Sequence, residues 1–88
     1  MAERYDILAR VISQKGHCGA GHKVGDEWVI GSKTPEGMCV PAFNSLLPKA
    51  RALMYGGALP FGDNPYVTTV ACPDAENPLV LKLSRLEK

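Results

Sequence analysis

Three cysteines and two histidines are the side chains best suited to metal binding or nucleophilic chemistry. Cys18, Cys39 and Cys72 each lie beside a turn signal, and His17 and His22 are close to the first of them. Thiolate and imidazole are ligands for zinc and iron, and both take part in nucleophilic catalysis. If the fold brings these turns together, we expect a thiol or metal site. If it does not, the chain has three ordinary cysteines.

Cys39 comes immediately before Val40 and Pro41, where a helix is predicted to begin. Unpaired N–H groups and the positive end of a helix dipole favour the thiolate form of a cysteine in this position. One interpretation is a nucleophile with His17 or His22 as its base. The other is a small buried side chain under the helix, because cysteine is among the most buried residue types.

The cysteine spacing is not that of a zinc finger, since the chain has neither a CxxC nor an HxxxH motif. A metal site would have to be assembled from three distant turns. Its candidate ligands are Cys18, His22, Cys39 and Cys72, and its candidate metal is a zinc or iron-type ion. Asp26 offers two further interpretations. It either holds the His22 ring in place through a hydrogen bond or forms a turn after Gly25.

Composition limits the classes of protein to which the chain can belong. Its 88 residues, 45% of them apolar, predict a single globular domain over residues 1–88. A net charge of +1 and scattered aromatic residues argue against nucleic-acid binding. No apolar run approaches the ~18 residues of a membrane span, and residues 1–6 lack the apolar segment of a signal peptide. We therefore expect a cytoplasmic protein with reduced thiols, and dimerisation would help so small a domain.

The hydrophobic pattern predicts four strands and one helical region. Alternation over residues 4–13 places Tyr5, Ile7, Ala9 and Val11 on one face of a first strand. Further strands are predicted at residues 27–30, 66–72 and 79–86, and the last two form a hairpin across a short turn. We expect an α+β fold with a four-stranded, mainly antiparallel sheet, in the order β-β-α(α)-β-β, with the helical region on one face.

The helical region begins near Pro41 and stops at Gly56 and Gly57. Pro48 interrupts its middle, where proline removes a backbone hydrogen bond. We therefore expect either a kinked helix or two short helices, over about residues 40–47 and 48–56, with Asn44 or Ser45 capping the second. The predicted apolar stripe consists of Phe43, Leu46, Leu47, Ala50, Leu53, Met54 and Gly57.

Three segments together resemble a family of small prokaryotic proteins of about this length, which carries no assigned activity. The segments are GHCGAGHKVGD at residues 16–26, PEGMC at residues 35–39 and ACPD at residues 71–74. The resemblance covers residues 5–86. It implies a shared fold and directs attention to Cys18, His22, Gly25, Asp26, Cys39 and Cys72. Some members carry two adjacent cysteines where this chain has Cys72 followed by proline, so a ligand set taken from them would be incomplete here.

Three classes of function therefore stay open. The first is a small binding or accessory domain, as a monomer or homodimer, with a metal ion or small ligand held by Cys18, His22, Cys39 and Cys72. The second is a thiol-dependent enzyme with Cys39 as nucleophile and His17 or His22 as base. The third is an interaction module whose cysteines belong to the core.

Overall fold

The fold is a four-stranded antiparallel sheet with one helix packed against it. The computed structural model describes residues 5–16, 21–59, 63–73 and 76–86. The strand order across the sheet is β2-β1-β4-β3, and every neighbouring pair is antiparallel. This confirms the predicted α+β class and the β3–β4 hairpin. The elements are β1 (Ile7–Gln14), β2 (Glu27–Ile30), α1 (Val40–Met54), β3 (Val67–Ala71) and β4 (Leu79–Arg85).

Strand β1 shows why this sequence forms a sheet with one apolar side. Ile7, Ala9 and Val11 are fully buried, whereas Arg10 between them is exposed. Successive strand residues point to opposite faces, so the three apolar side chains share the face that packs against α1. We call this side the inner face. The predicted alternation is confirmed, although the strand begins and ends later than residues 4–13.

The hydrophobic core lies between the inner face and α1. Residues from all four strands and the helix contribute to it, so burial of their apolar surface holds the two layers together. Its buried members are Ile7, Ala9, Val11, Ile30, Ala42, Leu46, Ala50, Leu53, Met54, Val70, Leu79, Leu81 and Leu83.

Helix α1 has the predicted ends but a different buried stripe. Cys39 is its N-cap, Pro41 lies in its first turn, and Gly56 follows its C-cap with a φ of +86°. The N–H groups of Gly56 and Gly57 donate to the carbonyls of Leu53 and Ala52, which is the Schellman pattern.

The most buried helical positions are Ala42, Leu46, Ala50 and Leu53. Phe43 and Leu47, which were predicted to lie in the stripe, are only half-buried beside it. Spacings of four, four and three residues keep these side chains in one narrow line on the sheet, so Phe43 and Leu47, one position further along, lie at its margin.

The alternative of two short helices is wrong, because α1 continues through Pro48. Asn44 and Ser45 therefore lie inside the helix and cap nothing. Pro48 is exposed. The next residue, Lys49, links this part of the helix to the sheet, because its amine donates a hydrogen bond to the carbonyl oxygen of Thr69 at 3.2 Å. Packing on the sheet thus outweighs the local cost of proline. A kink at Pro48 stays a prediction.

The second side of the sheet, which we call the outer face, has no helix on it among the described residues. A β-bulge interrupts β1 between Val11 and Ser13, so Ile12 is an extra residue on this side. The strand positions on the outer face are Leu8, Arg10, Ile12, Glu27, Val29, Val67, Thr69, Ala71, Val80, Lys82 and Ser84.

Candidate functional site

The elements bring His22, Cys39 and Cys72 to one end of the sheet. The loop carrying His22 leaves the end of β1, and Cys39 begins α1. Cys72 follows β3, and its N–H donates to the carbonyl of Leu79, the residue that pairs with the last residue of β1. Three of the four residues proposed from the sequence therefore share this end. Cys18 and His17 lie outside the described residues, so their part in a site stays a prediction.

His22 is held by two specific contacts. Its Nε2 accepts a hydrogen bond from the backbone N–H of Cys39 at 3.1 Å. Its ring meets Trp28 edge to face, with 4.8 Å between ring centroids and 69° between planes. Only 9% of the residue is exposed. In this contact the lone pair of Nε2 is the acceptor.

This geometry gives His22 a structural role at the start of α1. The first N–H groups of a helix lack partners within the helix, and a side chain from elsewhere in the sequence supplies one here. The same lone pair is not free to take a proton from a thiol or to bind a metal ion unless the hydrogen bond to Cys39 is broken.

The expected hydrogen bond between His22 and Asp26 is wrong. Asp26 instead closes its own turn: its Oδ2 accepts from the N–H of Lys23 at 3.0 Å, and its N–H donates to the carbonyl of Lys23 at 3.1 Å. Gly25 between them has a φ of +99°, which favours glycine. The interpretation of Gly25 and Asp26 as a turn is therefore confirmed.

Cys39 and Cys72 are half-buried free thiols that pack against the hydrophobic core. The side chain of Cys39 makes no capping hydrogen bond. The first hydrogen bond of the helix runs from the N–H of Phe43 to the carbonyl oxygen of Cys39, at 3.1 Å. The Sγ atom of Cys72 lies 4.0 Å from the carbonyl oxygen of Asn77. Within the described ranges, no group of three or more His, Cys, Asp or Glu side chains could hold a metal ion.

A concave feature, which the sequence did not indicate, lies along one side of α1. It is a groove of about 380 Å³ between the helix and the segment that follows β2. Strand β2 has only four residues and lies at an edge of the sheet, and in the described part of the chain no further strand lies beyond it to cover this side of the helix. The groove is lined by Ile30, Gly31, Ser32, Lys33, Thr34, Phe43, Leu47, Arg51, Met54 and Tyr55.

The helical wall of the groove follows a simple spacing. Phe43, Leu47, Arg51 and Tyr55 are each four residues apart, so they form one line on the helix surface beside the buried stripe. The guanidinium of Arg51 lies 5.9 Å from the centre of the Tyr55 ring, within the range of a cation–π contact. This spacing was present in the sequence, but only the short β2 strand shows that the line is left uncovered.

The groove combines an apolar floor with positive charge. Ile30 and Met54 are buried at 2% and 5% exposure, and Phe43 and Leu47 are half-buried. Lys33 and Arg51 are exposed, and the hydroxyls of Ser32 and Thr34 lie on the same loop. Neither cation has an ion-pair partner in the part of the chain that the structure describes. None of the groove-lining residues is acidic.

Comparisons with models of protein families, with curated proteins and with solved structures give no match. The resemblance drawn from the three sequence segments therefore stays a prediction. Among the described residues, no helix combines the length and the apolar character that a membrane crossing requires.

Proposed function

We propose that this protein is a small binding domain that takes an amphipathic anion into the groove beside α1. The ligand class is a carboxylate or phosphate group joined to an apolar body. The observation that carries the proposal is the pair of cations Lys33 and Arg51 above an apolar floor; among the described residues neither cation has an ion-pair partner, and no acidic residue lines the groove.

Charge decides which end of the ligand lies where. A guanidinium presents a planar fork of N–H donors that matches carboxylate and phosphate oxygens, and an ammonium adds a second point charge. The hydroxyls of Ser32 and Thr34 supply further donors on the same side. The anionic group is therefore placed at the rim, between the loop and Arg51.

Apolar contact decides where the rest of the ligand lies. Phe43, Leu47 and Met54 offer carbon surface below the rim, and burial of carbon atoms contributes about 25 cal/mol per Å². The volume of about 380 Å³ is at the lower end of the range for small-molecule sites, roughly 300–1,000 Å³. A short acyl chain or a single aromatic ring fits these dimensions.

This proposal keeps the class of a binding domain but moves the ligand away from the cysteines. The thiol enzyme needed His17 or His22 as a base; the Nε2 of His22 already accepts from the Cys39 N–H, and His17 lies outside the described residues. The metal site proposed from the sequence would need Cys18 and a rearrangement at His22. We place the binding reaction in the cytoplasm, where three cysteines stay reduced.

The experiment is an NMR titration in which amide chemical shifts report binding. Octanoate is the probe, and octylamine and acetate are the comparison compounds. Octanoate is expected to shift amides on the loop after β2 and along α1. Octylamine lacks the anion and acetate lacks the chain, so both are expected to bind at least tenfold more weakly.

Two variants test the cations directly. Arg51→Gln and Lys33→Gln each remove one positive charge, and each is expected to weaken octanoate binding about 5–10-fold, which corresponds to ~1–1.4 kcal/mol. Lys23→Gln is the matched control, because Lys23 is an exposed lysine outside the groove. Equal binding of octanoate and octylamine, or equal loss in all three variants, would refute the proposal.

A further inference from the structure

The outer face carries one row of mainly apolar side chains. One row across the sheet consists of Val29, Leu8, Ser84 and Val67, as the strand register shows. Val29 at its edge is 51% exposed, and Ile12, near the other end of β1, is 43% exposed. Antiparallel sheets with one solvated face normally carry polar residues there, so a mainly apolar row favours contact with another surface.

The charges on this face balance each other. A second row consists of Glu27, Arg10, Lys82 and Thr69, with an ion pair between the first two. Asp6, which alternates with the buried Ile7, adds a second carboxylate to the same side. Two acids and two bases give no net charge, which does not suit an anionic polymer or lipid surface but allows the face to pair with itself.

We propose that a second copy of this chain covers the outer face, so that two sheets pack against each other in a twofold dimer. A closed dimer with one self-complementary patch is the commonest oligomer of soluble proteins. This inference does not depend on the groove, which lies along α1 on the opposite side of the sheet.

The size of the face fits a weak dimer. In a dimer whose axis runs along β1, three strands of each copy overlap; strands about 4.8 Å apart and about 20 Å long give roughly 300 Å² of flat area in each copy. Two copies therefore bury about 600–800 Å² once the side chains are counted, the size of a small, transient interface. We expect a dissociation constant on the order of 100 µM.

The charged row indicates how the two copies meet. If the twofold axis runs along β1, then β2 of one copy lies over β4 of the other. Glu27 of one copy then faces Lys82 of the second copy, at the same height along the strands, because both pair with Arg10. Packed sheets lie ~10 Å apart, a separation that two long side chains can bridge.

Sedimentation equilibrium between 5 µM and 1 mM tests the proposal on the full chain. The wild-type protein is expected to pass from monomer to dimer across this range. Val29→Lys puts a charge into the apolar row and is expected to weaken the dimer at least tenfold. Val40→Lys is the matched control, because Val40 is a 79% exposed valine on the helix, away from the outer face.

A charge exchange tests the arrangement itself. Glu27→Lys and Lys82→Glu should each weaken the dimer about tenfold, and the double variant should return to within about threefold of the wild type. Circular dichroism confirms that each variant is folded. A wild type that is monomeric at 1 mM, or equal effects of the two valine variants, overturns the proposal. Failure of the double variant to recover overturns the arrangement.

Discussion

His22 offers the sharpest test of how a distant side chain can begin a helix. We expect His22→Phe to destabilise the protein by about 1–2 kcal/mol. Phenylalanine keeps an aromatic ring against Trp28 but cannot accept the hydrogen bond, which leaves the Cys39 N–H without a protein partner. Removing the acceptor of a buried donor costs ~1–3 kcal/mol, and this N–H is only part-buried.

Two further variants separate the hydrogen bond from the ring contact. His22→Ala loses both contacts and leaves a cavity. We therefore expect the free energy of unfolding to fall by about 2–4 kcal/mol, of which the edge-to-face contact with Trp28 contributes ~0.5–1.5 kcal/mol. His22→Gln can place an amide oxygen near the position of Nε2, and we expect it to cost about 1 kcal/mol or less. The expected order of stability is wild type, Gln, Phe, Ala.

Urea denaturation measures these differences, and thermal unfolding provides a second reading, since 1 kcal/mol shifts the midpoint by roughly 4–8 °C in a domain of this size. Amide hydrogen exchange gives the local reading. The Cys39 amide should exchange faster in the Phe variant, while amides of β4 change only as global stability does. If the Phe variant is as stable as the wild type and its Cys39 amide is equally protected, the capping role of His22 is wrong.

The remaining predictions concern the backbone of α1 and are all measured by urea denaturation. Pro48→Ala should raise the free energy of unfolding by about 1–3 kcal/mol, because alanine restores a helical N–H at an exposed position; a loss of stability would contradict this. Gly56→Ala should cost about 1 kcal/mol from the positive φ alone, as no other atom lies within 4 Å of the added carbon. Gly57→Ala should cost more, since its added carbon would lie 2.6 Å from the carbonyl oxygen of Ala52. The opposite ranking of the two glycines would show that this reasoning about the helix end is wrong.

The secondary structure was largely readable because it depends on local patterns. Alternation in residues 4–13 and the β-branched run before Cys72 identified strands, and Pro41 with Gly56 marked the limits of the helix. Pro48 led to the incorrect alternative of two short helices. Helix propensity describes how a residue behaves in an isolated helix. Here the packing of Leu46 and Ala50 on the sheet outweighs that preference.

The site was less predictable because its contacts join groups that leave no pattern in sequence. A backbone N–H, such as that of Cys39, is present at nearly every residue, so nothing singled it out as the partner of His22. The groove depends on the position of the segment after β2 relative to α1, which places Lys33 and Arg51 on the rim of the same groove. Periodicity shows which side of a helix is apolar, but it does not show which neighbours stop short of covering it.

Pairing between β1 and β4 at the centre of the sheet has a consequence for how the molecule reaches its native state. Ile7 pairs with Arg85, so the two middle strands meet only after nearly all of the described chain between them has been brought into a closed loop. Such long-range closure slows folding, whereas the β3–β4 hairpin forms locally on a microsecond timescale. We therefore expect the hairpin to form before β1 arrives, and pairing with β1 covers the edge of β4 that would otherwise be open to another chain.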